Sequence, residues 1–401
     1  MTSTALPIAA RAPRGLRAVG WIGIALGLVG VWIALPPISA RSWVWSLVVC
    51  LIAMMLGIGV VIRGERRFGG FAIASGVLGF GVGYLATLLG VGKLETVVVW
   101  SALIASTLRF ATPLIFAAIG GMFSERSGVT NIGLEGMMLI GAFFGILGAD
   151  KFGTWWLGLL TAIAAGGLMA LLHAVLSIHL RADQIIGGTA INFLALGLTG
   201  YLYIDLYGEQ GTPANVPGIP SVHLGFLDGT SFFNVIFGDL NLMIWLAIIL
   251  IPLSWVILFK TPLGLRIRAV GEHPKAADTV GISVYGIRYG AVVLSGMLAA
   301  CGGAYLSIGF VNSFTENMTA GKGFIALAAM IFGGWNPVGA FGAALVFGFS
   351  DATQTLLSSL GVAIPPQILT SVPYLVTIVV VAGLVGRVRG PAMAGIPYEQ
   401  G

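Results

Sequence analysis

Charge is scarce in this 401-residue chain. Asp, Glu, Lys and Arg together make up 9% of it, against 57% hydrophobic residues and a mean hydropathy of +0.99. Soluble domains carry about 25% charged residues. A soluble core could not absorb this much apolar surface with so few charges to cover it, so the composition reads as a polytopic membrane protein. The alternation of a membrane β-barrel is missing as well. Barrel strands alternate over about ten residues, whereas these runs last about twenty and are apolar on every face. No G-x-x-x-x-G-K-[ST] occurs, which excludes a P-loop for ATP, and Gly321-Lys322-Gly323 lacks an upstream glycine at the required spacing. The four histidines (His173, His179, His223, His273) are scattered, so no metal site is expected. Cys50 and Cys301 lie inside apolar runs and read as buried small hydrophobes, not as a disulfide framework. No nucleophile and base fall together, so the chain is read as a non-enzyme that binds no cofactor of its own. The net charge of +5 sits in a few loops and gives no sign of nucleic-acid binding.

Glycine is abundant: 60 residues, spread through the apolar runs. Small residues let helices approach closely in lipid, where hydrophobicity does not drive association. At about twenty residues per crossing, twelve candidate segments follow: 19–38, 43–62, 70–90, 96–123, 129–148, 155–178, 186–204, 240–259, 289–310, 325–335, 338–358 and 369–386. The fold expected is all-α. Residues 1–18 form a cytoplasmic segment whose arginines (Arg11, Arg14, Arg17) stay inside, and the first run, which is long for a signal peptide, is read as a span. Arg63, Arg66 and Arg67, then Glu125-Arg126, His179 and Arg181, the 260–288 loop and the tail 387–401 also fall inside. The 205–239 loop, with four acids and no Lys or Arg, falls outside.

Two segments are irregular. Residues 96–123 are long for one span and contain Arg109 and Pro113, which are expected to interrupt it. Residues 325–335 are too short to cross unaided and end in Gly333-Gly334-Trp335-Asn336-Pro337. Broken helices mark substrate sites in many transporters; the alternative is a kinked helix packed in protein. Intramembrane charge is sparse. Asp351 and Glu135 are the candidates for an ion relay, and Glu135 alternatively complements a helix N-terminus.

The 260–288 loop carries Lys260, Arg266, Arg268, Lys275 and Arg288 against Glu272 and Asp278. In its centre Pro274 suits a first helical turn, Glu272 an N-terminus, Ala276 and Ala277 a helix interior without bulk, and Gly281 a helix end. The result is a helix of about two turns with a smooth alanine surface, suited either to a groove on another protein or to the inner lipid surface.

RAVGEHPKAADTVGI (268–282) resembles the cytoplasmic loop of ABC importer permeases. SERSGVTNIGLEGMMLIGAFFG (124–145), ADQIIGGTAINFLALGLTGYL (182–202) and GKGFIALAAMIFGGWNPVGAFGAALVFG (321–348) resemble the nucleoside and simple-sugar branch of the branched-chain amino acid and simple-sugar permease superfamily. The four stretches keep the family's order from about residue 96 onward. The resemblance implies a ten-span core of type II importer kind (63–386), with residues 19–62 as two added spans. It implies partners: a cytoplasmic ATPase carrying ATP and Mg, a second permease (similar or identical), and an outer binding protein. It also implies a bacterial inner-membrane location with both termini cytoplasmic. Gly271, Glu272, Pro274, Ala276, Ala277 and Gly281 would then couple to the ATPase. Phe110, Asn192, Asn312 and Gln354 are candidates for the solute path, the alternative for each being helix packing. Asn131 and Glu135, expected near the inner face, and Gly333, Gly334 and Pro337 are assigned to structure or gating. An ion-coupled carrier and a non-transporting scaffold are the competing functions.

The threading has a direct test. Single cysteines at Asp228→Cys and Lys275→Cys are expected to react with an impermeant thiol reagent from opposite sides of the membrane, the former from outside. Reaction of both from one side would overturn it.

Overall fold

The computed structural model describes residues 14–34, 43–88, 100–228, 231–359 and 390–399. They belong to two compact units. Of the described residues, those up to Trp100 form one and the rest form the other. The twelfth expected segment, 369–386, lies outside the described residues. Six of the described helices are long and apolar enough to cross a membrane: Val44–Ile62, Ser101–Arg126, Trp155–His179, Gln184–Tyr207, Leu242–Lys260 and Val284–Val311.

The first unit is built on three helices, α1 (Arg14–Ala34), α2 (Trp43–Ile62) and α3 (Arg66–Leu88), each packed on the other two. Glycines at helical spacing make this possible. Gly20, Gly23 and Gly27 of α1 lie against Phe68, Ala72 and Ser75 of α3, and Gly30 lies against Cys50 of α2. The Ser46 hydroxyl, on α2, donates to Gly30 O (2.8 Å) on α1 and contacts Gly79 O (3.3 Å) on α3, so one buried side chain ties three backbones. The sequence division at residue 62 leaves α3 with the core, whereas α3 packs on α1 and α2.

The second unit opens with α4 (Trp100–Arg126). It is a single helix through Pro113. The expected interruption falls instead at Ser127–Gly133, an irregular stretch before α5 (Leu134–Phe152). Next come α6 (Trp155–Ala174), prolonged as a π-helical turn to His179, and α7 (Gln184–Tyr207), capped by the Asp183 carboxylate on the amides of Ile185 and Ile186. The 205–239 loop holds a small hairpin in its described part. Strand β1 (Ser221–His223) pairs antiparallel with β2 (Asp239–Asn241), Ser221 opposite Asn241, around a one-turn α8 (Ser231–Phe233). His223 is exposed and sits 3.2 Å from Asp239 and 3.5 Å from Asp228. The hydrogen bond to Asp239, then the two negative charges, raise its pKa. Its contribution is therefore present below the ordinary histidine range and fades as pH rises through the raised value.

Then follow α9 (Leu242–Lys260), α10 (Pro262–Glu272), α11 (Pro274–Thr279), and α12 (Val284–Ala304) with a π-helical extension to Val311. Last are α13 (Lys322–Phe332) and α14 (Pro337–Ser359). The core of this unit is α5, buried along most of its length and packed on α6, α7 and α12. Helix α12 meets both its neighbours almost backbone to backbone: Gly141 of α5 and Gly166 of α6 each lie against Ala300, and Gly296 lies against Ala170.

The glycine stripe carries a test of the first unit. A side chain at Gly27 would run into the Ser75 backbone, whereas nothing approaches Gly59 within 4 Å. Gly27→Leu is expected to lower the thermal midpoint of the purified protein by the equivalent of about 2 kcal/mol. Gly59→Leu should leave it within about 0.5 kcal/mol. Equal midpoints would refute the packing argument.

Candidate functional site

The basic segment between α9 and α12 is two helices. Thr261 caps α10 by accepting from Gly264 N (3.2 Å), and Pro262 occupies its first turn. This Thr-Pro start is legible in the sequence and was missed there. Gly271, at the end of α10, is buried against the Arg126–Gly128 backbone, where a side chain could not fit. The guanidiniums of Arg126 and Arg268 lie 5.5 and 5.2 Å from the Phe259 ring centre, so the basic end of α4 and α10 share one aromatic support.

Helix α11 starts at Pro274 as expected and turns off at Gly281, whose φ of +83° suits glycine. The smooth alanine surface is corrected by the structure. Ala277 is buried in a small cluster with Val270, Val284 and Tyr398, while Ala276 is exposed. The outward face is Lys275, Ala276, Thr279 and Val280, the last 73% exposed. Adjacent helical residues point about 100° apart, so two successive alanines do not share a face. Glu272 ends α10, and its carboxylate accepts from Ala392 N at 3.3 Å instead of serving the start of α11.

Helix α13 spans only 11 residues and is tied at both ends by buried carboxylates. At its start, Glu135 Oε1 accepts from the Thr319 hydroxyl (2.6 Å) and Gly321 N (2.8 Å), and Oε2 accepts from Gly323 N (2.6 Å). The first amides of a helix have no partner within it and carry positive dipole, so an anion suits them. Glu135 stands in the first turn of α5 yet serves the first turn of α13. At the other end the Trp335 indole donates to Glu125 Oε2 (2.6 Å), and Arg126 donates twice to Trp335 O (3.1 and 2.7 Å). Gly334 and Trp335 both take positive φ, Asn336 accepts from Val338 N (3.0 Å), and Pro337 begins α14. Gly333 packs directly on the Gly339–Ala340 backbone.

Asn131 and Glu135 do not lie at the basic end of α12. The Asn131 amide donates to Ser295 Oγ at 3.0 Å. Ser295 is about 16 Å along α12 from its start, at a rise of 1.5 Å per residue. Irregular backbone therefore climbs from Gly128, beside Arg288, to half the height of a span. Such backbone is tolerated there only because protein surrounds it. The amide of Thr130 donates to Gln184 Oε1 (2.7 Å), and its carbonyl lies 3.2 Å from His173 Nε2.

The four path candidates separate. Asn192, on α7, accepts from Gly136 N (2.8 Å) and donates to Ile132 O (3.0 Å), clamping the start of α5. Phe110 of α4 meets Phe310 edge-on at 5.6 Å, and Phe310 stacks on Tyr305 at 6.1 Å. Asn312 ends the π-helical extension of α12 in the left-handed region, its amide against Gly218 of the 205–239 loop. Gln354 is half-buried on α14, which crosses α4 where Gly348 meets Thr107 and Ala111. Phe110 and Asn312 thus belong to one neighbourhood at the far end of α12, and Asn192 to another. Asp351 has no Lys or Arg on its own helix, α14.

Glu135→Gln keeps one acceptor and turns an amide N–H₂ toward backbone donors. It should lower the thermal midpoint of the detergent-purified protein by the equivalent of about 3 kcal/mol, and Thr319→Val, which removes one bond, by about 1 kcal/mol. An unchanged midpoint for Glu135→Gln would refute the anchoring role.

Residues 103–382 match the family model described as branched-chain amino acid transport system / permease component. Guanosine ABC transporter permease protein NupQ of Bacillus subtilis is 44% identical over 324 residues, covering 77% of this chain and 99% of that protein. Nucleoside ABC transporter permease protein NupC of Lactococcus lactis is 41% identical over 305 residues, covering 74% and 96%. A putative glucose ABC transporter permease protein, TsgC13 of Haloferax volcanii, is 35% identical over 322 residues, covering 73% and 94%. A further Bacillus subtilis protein described as a guanosine ABC transporter permease, NupP, is 28% identical over 311 residues. No solved structure matches. The chain belongs to the family of branched-chain amino acid transport system permease components, among the nucleoside and simple-sugar ABC transporter permeases.

Proposed function

We propose that this permease carries nucleosides inward across a bacterial inner membrane as one of two unlike membrane subunits, with both termini in the cytoplasm. The substrate rests on the 44% and 41% identities to guanosine and nucleoside permeases over nearly their whole length. The glucose permease stands further off at 35%. The unlike pair rests on the guanosine permeases of one organism, of which this chain is 44% identical to one and 28% to the other. ATP and Mg belong to a separate ATPase subunit, and the 205–239 loop faces an outer binding protein.

The observation that carries the mechanism is the two-sidedness of α11. Its inner face, Ala277, packs on Val270 and Val284, and its outer face presents Lys275, Ala276, Thr279 and Val280 with little bulk. That outer face is the docking surface for the ATPase. Closure of the ATPase pair pushes α11, the push reaches α12, and the cavity between the two permeases changes sides. The neighbourhood of Phe110, Phe310 and Asn312, at the opposite end of α12, offers an aromatic face for a base and an amide for hydroxyls. An ion-driven carrier gains nothing from Glu135, whose carboxylate already holds three hydrogen bonds.

Ala276→Glu places a charge on the outer face without touching the inner one. In the assembled transporter it should abolish co-purification of the ATPase and cut uptake of labelled guanosine at least tenfold, a loss of about 1.4 kcal/mol or more in the coupled step. The variant should still reach the membrane with an unchanged melting midpoint. Retained ATPase binding and uptake would defeat the docking assignment. A panel of labelled guanosine, adenosine, uridine, ribose and glucose, offered to the same complex, tests the substrate. Preference for a sugar over every nucleoside would defeat that part.

A further inference from the structure

Residues 390–399 run across the coupling helices and bond to them through Ala392, Met393, Ile396 and Tyr398. Met393 N donates to Gly271 O (2.9 Å) and Ala392 N to Glu272 Oε2 (3.3 Å), both at the end of α10. Arg288 on α12 is almost wholly buried, and its Nη1 donates to Ile396 O (3.2 Å). The Tyr398 hydroxyl donates to Asp278 Oδ2 on α11 (2.9 Å), while its ring meets Tyr285 of α12 edge-on at 5.6 Å. Tyr398 is 5% exposed. Glu399 pairs with Arg181, in the link before α7, at 2.9 Å, an exposed contact of little weight.

These contacts supply what α11 lacks by itself. A helix of six residues is too short to be stable alone. It is joined to α12 through Gly281, a residue with wide conformational freedom. A push on such an element would be absorbed in the joint unless something braced α11 against α12. Tyr398 is placed to do so, with its ring on α12 and its hydroxyl on α11.

We propose that residues 390–399 form a clasp that braces α11 on the base of α12, and that Tyr398 is the positioning residue through which motion of α11 reaches α12. The idea rests on the reading of α11 as the ATPase-docking helix. The clasp is made wholly by this chain, so part of its test needs no partner.

Hydrogen exchange of the 275–281 amides in the purified full-length chain gives that part. Tyr398→Phe keeps the ring and loses the bond, and exchange across α11 should rise about five- to tenfold. Asp278→Asn keeps an acceptor and should stay near the unaltered protein. Unchanged exchange in Tyr398→Phe overturns the clasp. In the complete transporter, Tyr398→Phe should keep the ATPase bound and hydrolysing while guanosine delivered per ATP falls several-fold. Asp278→Asn should retain most of that yield. Loss of ATPase binding in Tyr398→Phe, or an unchanged yield per ATP, overturns the transmission role. Failure of the docking reading shows separately, as an Ala276→Glu complex that still holds its ATPase and transports.

Discussion

The second unit depends on the Glu135 carboxylate. It accepts from the Thr319 hydroxyl and the amides of Gly321 and Gly323, so a residue of α5 completes the first turn of α13. Helix α13 has 11 residues and cannot span a membrane. Its starting amides have no partner within the helix, and each donor buried without one would cost several kcal/mol. The carboxylate in turn would be intolerable there without donors. Each group makes the other admissible, which is why a broken helix can exist at this depth. Glu125 repeats the arrangement at the far end through the Trp335 indole.

Local signals carried much of this into the sequence. The runs of about twenty apolar residues, the basic loops and the Pro274–Gly281 helix follow from helix length, charge placement and capping, which are properties of neighbouring residues. What stayed hidden needs contacts distant in the chain. Glu135 reads as an N-terminal carboxylate of its own helix, because nothing local reveals that its oxygens turn to Thr319 and Gly323. Asn192 reads as a polar residue available to a solute, because its bonds to Ile132 and Gly136 form only when α7 meets α5. Asn131 was placed by counting from a loop assumed to be at the surface, and the chain re-enters there instead. The Thr261-Pro262 start of α10 is a local signal, a capping hydroxyl followed by a first-turn proline, and is legible in the sequence.

The end of the second unit that holds the 260–288 segment is crowded in a way its composition does not suggest. Arg126, Arg268 and Arg288 read in the sequence as a topology signal. Their side chains are also spent on structure. Two share the Phe259 ring, Arg126 holds Trp335 O, and Arg288 lies inside the protein on Ile396 O. One set of cations thus ties the ends of α4, α10, α12 and the tail.

Where Gly141, Gly166 and Gly296 bring α5, α6 and α12 into near backbone contact, mostly alanine methyls and backbone lie at the crossing, so little side-chain freedom remains to absorb a displacement. Those three helices have the mechanics of a plate. They can tilt or turn together but cannot shear past one another. Any change in shape has to be taken up at the hinges around the plate, where the backbone already occupies left-handed conformations: Ala320 and Gly321 on one side of α13, Gly334 and Trp335 on the other. Stiffness in the plate and compliance at its rim would let a small displacement at one edge arrive at the opposite edge undiminished, as a rigid lever does.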